Sequence, residues 1–211
     1  NKSLQKHIKI ELINWKITKE VMKPKNIAFL LILFLFVNFA LSLIIGVFSL
    51  LGHQRFGWNE AQNGLYFGLI GISSFTTQMF LIRLLVKRFT EVQMIKIGLA
   101  IFCASIAVMG LSPFQWLVIL MGVTTPFAVS LIMINTQALI SLESKAEEQG
   151  IVLGVAQSFG SLGMVFGPLL GGVIGSVNLS IPFILSSIVT VVIILIGKNY
   201  LTQIHLERSR S

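Results

Sequence analysis

Six long apolar runs occupy most of residues 26–198, and no acidic residue falls inside any of them. An α-helix needs about 20 apolar residues to cross a hydrocarbon core about 30 Å thick. In lipid every backbone N–H and C=O must be paired within the segment itself, so each run predicts a membrane-crossing helix. The spans fall at 26–51, 61–86, 94–112, 116–141, 150–176 and 180–197. They are continuous rather than alternating, which argues against a membrane β-barrel. The expected fold class is an all-α membrane protein, a six-transmembrane-helix bundle.

Only 11% of the 211 residues are charged and 55% are hydrophobic, whereas a soluble domain carries about 25% charged residues. The net charge of +8 raises nucleic acid as a partner, but the placement of the cations explains it otherwise. Of the 16 Lys and Arg, all but Arg55 lie in or beside the leading segment, the second and fourth links and the tail. Such alternation through six crossings puts both ends on the cytoplasmic side. The basic balance then reflects topology and anionic lipid, with no nucleic acid partner. Cys103 lies alone in an apolar run and reads as a small core residue. Residue 1 is Asn, not Met, and no cleavable signal pattern precedes the first span, so a longer parent chain is expected. Residues 1–25 form a juxtamembrane segment and 199–211 a tail. In the former, Ile8, Leu12 and Trp15 recur at helical spacing among lysines, which suits an interfacial helix or a solvated linker.

The link after span one reads Arg55-Phe56-Gly57-Trp58-Asn59-Glu60-Ala61-Gln62. Asn59 is placed to cap span two with Gln62 as its reciprocal partner, and Trp58 suits the membrane interface. Span five contains Gly163-Met164-Val165-Phe166-Gly167-Pro168-Leu169-Leu170-Gly171-Gly172. With these motifs the chain resembles the major facilitator superfamily, and more narrowly the C-terminal half of twelve-helix drug:proton antiporters of the tetracycline and multidrug efflux type. First halves of that family carry an Asp-Arg loop after their second span and an arginine within their fourth. Here the loop reads Arg83-Leu84-Leu85-Val86-Lys87-Arg88-Phe89-Thr90 and span four has no arginine, so the resemblance is to the second half. It implies one half of the superfamily fold, with 3+3 inverted repeats, in a bacterial plasma membrane. The partner it implies is a missing N-terminal six-helix half.

Several residues have physical roles to fill. Gly160, Gly163, Gly167 and Gly171 form one bare helical face, and Pro168 removes the donor for the Met164 carbonyl. Small faces admit close helix packing. The face reads either as a gate or pivot, or as tight packing in a static bundle. Asn38 lies near the bilayer centre with Ser42 on its stripe, and the resemblance places span one beside a central cavity. A helix–helix hydrogen bond accounts for Asn38 equally well. Tyr66, Ser74, Thr77 and Gln78 in span two, with Asn135 and Gln137 in span four, complete the candidate substrate path. Arg83, Lys87 and Arg88 have Glu147 and Glu148 as candidate ion-pair partners across the cytoplasmic face, the other reading being a solvated basic loop.

The chain has no Asp, and all eight acidic residues are Glu outside the spans. Reversible protonation within the membrane needs a titratable group there, so a coupling carboxylate is expected outside this segment. No cofactor beyond a proton gradient, no metal site and no enzyme chemistry are expected. The expected function is half of a secondary active exporter of small amphipathic drugs working by alternating access. An uptake symporter for a small nutrient and a non-transporting scaffold or sensor stay open, since the fold does not fix direction or activity.

Overall fold

The computed structural model describes residues 15–208. A short helix α1 (Trp15–Val21) precedes α2 (Lys25–Phe56), α3 (Glu60–Thr76), α4 (Ile82–Leu85), α5 (Glu91–Leu111), α6 (Gln115–Glu143), α7 (Gln149–Gly175) and α8 (Ile181–Arg208). A single π turn, Thr77–Leu81, joins α3 to α4 without a break, making one crossing of Glu60–Leu85. Among the described residues six helices are long and apolar enough to cross a membrane, and there are no strands. Ile8 and Leu12 of the candidate interfacial helix lie outside the described residues.

Local chemistry sets the ends. Asn59 and Gln62 form a reciprocal capping box at the start of α3, as their spacing predicts. Thr90 and Gln93 do the same for α5. Helix α2 stops at Gly57, which takes a left-handed conformation with φ 69° that side chains rarely adopt. Helix α8 continues well past the expected end of its span at 197. The cause is burial: Leu201 and Ile204 are inside, and Tyr200 stacks on Phe29 with ring centroids 5.1 Å apart.

The main pairings are α2 with α7 and α5 with α6, then α8 with both α5 and α2, α2 with α6, and α3 with α6. Exchanging α2–α3–α5 for α6–α7–α8 maps this set onto itself, the contact pattern of two three-helix repeats. The repeats are unequally packed. Helix α7 lies tightly on α2, whereas α3 is largely exposed and touches mainly α6.

Side-chain bridges tie the ends together. At the lysine-rich end the Asn26 amide donates to Glu143 at 3.1 Å, and Lys96 Nζ donates to Thr202 at 3.5 Å. At the other end the Arg55 guanidinium donates to the carbonyls of Met109, Gly110 and Ser112 at 3.4, 3.0 and 3.2 Å. It also donates to the Ser180 hydroxyl at 2.7 Å. The one cation on its side of the topology is thus a clamp on the carbonyl end of α5, where the helix dipole favours positive charge.

Candidate functional site

The Gly57 turn folds Trp58 back over α2 onto Gly52, where an added methyl would come 2.6 Å from the indole Cε3. Trp58 is therefore buried, 3% exposed, rather than spread on the membrane interface as its position in the link suggests. It joins a cluster centred on Phe48, which stacks on Tyr66 at 4.3 Å and 12° and meets Trp58 and Phe67 at 6.1 Å. The Tyr66 hydroxyl reaches across to α6 and rests on Gly122, where any side chain would overlap it. That hydroxyl is buried and makes no hydrogen bond. One turn further along α6, Pro126 has no N–H, so the Gly122 carbonyl lacks its helical donor.

Beside this cluster a cavity of 340 Å³ opens between α2, α3 and α6. Its walls are Leu41, Ile44, Ile45 and Phe48 of α2, Tyr66, Phe67, Ile70 and Ser74 of α3, Gln78 of the π turn, Met109 of α5, and Gly122, Thr125, Pro126, Val129 and Ser130 of α6. Among the described residues no charged side chain lines it. Ser74, Gln78, Thr125 and Ser130 supply the polar groups, and the Thr125 hydroxyl donates to its own helix at Met121 O, 2.8 Å away. Ser73, just outside the lining, ties α3 to α6 by donating to Val123 O at 2.6 Å. The arrangement offers aromatic and aliphatic surface with a few neutral hydrogen-bonding groups, the composition that suits an apolar or amphipathic small molecule.

On the far side of α2 lies the bare face of α7. A methyl at Gly163 would fall 2.5 Å from Leu35 O and 2.7 Å from Phe39 N. Gly160 faces Phe34 and Asn38, Gly167 faces Ser42, and Gly171 faces the Leu43 carbonyl. Side-chain-free positions thus let two backbones meet directly. Helix α7 is continuous through Pro168, which packs toward Gly46 of α2.

A family model described as the Major Facilitator Superfamily matches residues 27–210. The chain belongs to the Major Facilitator Superfamily. It is 29% identical over 155 residues to Multidrug resistance protein 2 of Bacillus subtilis (strain 168), covering 73% of this chain and 38% of that protein. It is 25% identical over 192 residues to Multidrug resistance protein 1 of the same organism, covering 90% of this chain and 49% of that protein. The chain therefore spans less than half the length of these relatives. A crystal structure of the human organic anion transporter MFSD10 (TETRAN) matches with a TM-score of 0.74 at 22% identity, over 84% of this chain and 41% of that one. That likeness speaks to the fold: six helices as one half of a Major Facilitator Superfamily architecture.

Within this superfamily half, the sequence candidates fall in different places. Tyr66, Ser74 and Gln78 come together on the cavity wall. Asn38 does not reach it: its amide donates to Phe34 O at 2.7 Å and contacts Met133 Sδ at 3.6 Å, between α7 and α6. Ser42 is buried beneath Gly167. Thr77 is buried within the π turn, and Asn135 is buried and bonds back to Leu131 O at 2.7 Å. Gln137 is half-buried outside the cavity lining. Arg83, Lys87 and Arg88 are exposed, as are Glu147 and Glu148, and among the described residues no ion pair joins the two sets. Solvated charges on exposed side chains gain too little from pairing to overcome side-chain entropy. Phe48, Gly122 and Pro126 belong to the site but carry little mark in the sequence. Their one signal is a glycine four residues before a proline within an apolar run.

Proposed function

We propose that this chain is the C-terminal half of a proton-coupled exporter of amphipathic drugs that works by alternating access. The observation that carries this reading is the aromatic-walled cavity between α2, α3 and α6, which no charged side chain among the described residues lines. Such a wall holds bulky apolar or weakly cationic compounds and offers nothing to anchor a phosphate or carboxylate, for which Arg or Lys is the usual partner. The multidrug resistance names of the two bacillary relatives support the same substrate class.

In this reading α2, α3 and α6 form one wall of a shared cavity, and an N-terminal six-helix half forms the other. Large apolar side chains stay uncovered on α3 (Leu65, Ile72, Phe75) and on α7 (Leu169, Val173). A methyl added at Gly64, Gly68 or Gly71 of α3 would meet no neighbouring atom within 4 Å, so a further helix has room to approach closely there. The close α2–α7 contact through Gly160, Gly163, Gly167 and Gly171 keeps those two helices moving as one body, with Pro168 at its edge, while the bundle rocks against the other half. The spans of this chain contain no carboxylate, so the proton-carrying group sits in the remainder of the protein. The cation-rich end is cytoplasmic by the positive-inside rule.

The test uses the full-length parent in energised membrane vesicles. Accumulation of a fluorescent lipophilic cation should depend on the parent and collapse with a protonophore. Replacing Phe48 by alanine should lower that flux at least tenfold while membrane abundance is kept. Unchanged flux in both the Phe48→Ala variant and a strain lacking the parent, across a broad set of apolar and cationic dyes, overturns the export reading.

A further inference from the structure

A second cavity lies away from the substrate wall, between α2 and α8. It has a volume of 430 Å³ and is lined by Lys25, Ala28, Phe29, Ile32, Leu33 and Phe36 of α2 and by the facing residues of α8 from Ile188 to Tyr200. Its floor is closed, with Leu33 0% and Ile193 6% exposed. Its rims are open, with Ile32, Phe36, Ile188, Val192 and Ile196 exposed. The charged end is equally well defined. Phe29 sits over Gly197 and stacks on Tyr200, and among the described residues Lys25 is the one charged side chain in the lining.

The length decides what fits. From Lys25 to Phe36 the groove follows eleven residues of helix, about 16 Å at about 1.5 Å per residue. One leaflet of a bilayer with a hydrocarbon core about 30 Å thick is about 15 Å deep. The groove therefore runs from the headgroup level at the lysine-rich end to the bilayer midplane. It is apolar along its length and cationic only where a headgroup would lie.

We infer that this groove is a binding site for an anionic glycerophospholipid of the leaflet at the lysine-rich end, with one acyl chain between α2 and α8 and its phosphate on Lys25. A zwitterionic lipid offers the same chain but cancels the phosphate charge beside it, so Lys25 selects for net negative headgroups. A free fatty acid fills the groove but supplies one carboxylate and no second chain to anchor it in the leaflet. The site is independent of the cavity between α2, α3 and α6, so its test does not rest on transport.

The experiment uses the purified, delipidated full-length parent in detergent. Phosphatidylglycerol, phosphatidylcholine of matched chains and oleate are each titrated, and bound lipid is counted by native mass spectrometry. Phosphatidylglycerol should bind saturably with one high-affinity equivalent, about fivefold tighter than phosphatidylcholine, the preference one lysine gives. Lys25→Gln should remove that preference and leave the shared apolar binding. Val192→Trp, at an exposed rim position, should block the equivalent for both lipids. Equal binding of the two phospholipids, tighter binding of oleate, or wild-type phosphatidylglycerol binding in both variants overturns the site. Wild-type melting temperature in each variant shows that the loss is not misfolding.

Discussion

Replacing Gly163 by alanine should separate α2 from α7. The new methyl would lie 2.5 Å from the Leu35 carbonyl oxygen and 2.7 Å from the Phe39 nitrogen, where ordinary van der Waals contact begins at 3.4 Å. Both opposing atoms belong to the backbone of one helical turn and have no rotamer to escape into. The helices must move apart by about 0.9 Å, the difference between the two distances, or one must bend. Overpacking of this kind costs about 1–3 kcal/mol, which lowers the folded-to-unfolded ratio by about 5- to 150-fold. The companion variant Gly172→Ala sets the control, because a methyl there meets no atom within 4 Å. It gains helix propensity of up to about 1 kcal/mol. Thermal unfolding of the full-length parent in detergent reads both, at about 2–4 °C per kcal/mol for a domain of this size. A Gly163→Ala protein as stable as wild type, or a Gly172→Ala protein destabilised as much as Gly163→Ala, refutes the packing assigned to α7.

Arg55→Met removes a guanidinium with four hydrogen-bonded oxygens and should cost about 1.5–3 kcal/mol in unfolding free energy. Arg55→Lys keeps the charge but not the fork, so it should recover only part of that loss in the same measurement. Tyr66→Phe deletes a buried hydroxyl without a partner, so stability should hold or rise by about 1 kcal/mol. A fall of that size in the same unfolding measurement would reveal a partner for the hydroxyl. Asn59→Ala breaks the capping box at α3 and should cost about 1 kcal/mol, seen as faster hydrogen exchange at the backbone amide of Gln62.

Much of this molecule is legible from composition and spacing. Hydrocarbon thickness alone dictates six crossings, and Asn59 with Gln62 announces where one of them begins. The glycine face of α7 is readable because its period matches a helix and small residues have few other uses in lipid. The site was harder to read. Asn38 and Asn135 look like cavity residues in sequence because an amide in the bilayer demands a partner. Each donates locally, to a carbonyl four residues back, and neither lines the cavity between α2, α3 and α6. The wall is built instead from residues that sequence makes ordinary. Phe48 is one of 16 phenylalanines, and Gly122 matters only because a tyrosine hydroxyl from another helix lands on it. Such tertiary coincidences leave no periodic trace. Trp58 illustrates the same limit, since its burial follows from the left-handed turn at Gly57 and the missing side chain at Gly52.

The grip of Arg55 on four oxygens divides the bundle into unequal mechanical parts. It welds the tail of one helix to the tail of a second and the head of a third, so α2, α5 and α8 travel together. Helix α7, seated on α2, rides with them. The crossing that holds the π turn is fastened more lightly, by the Ser73 hydroxyl on Val123 O of α6 and by the stack of Tyr66 on Phe48 of α2. Of the six crossings it is the least enclosed by this chain, so its seating is set in good part by whatever helix covers its bare glycine face.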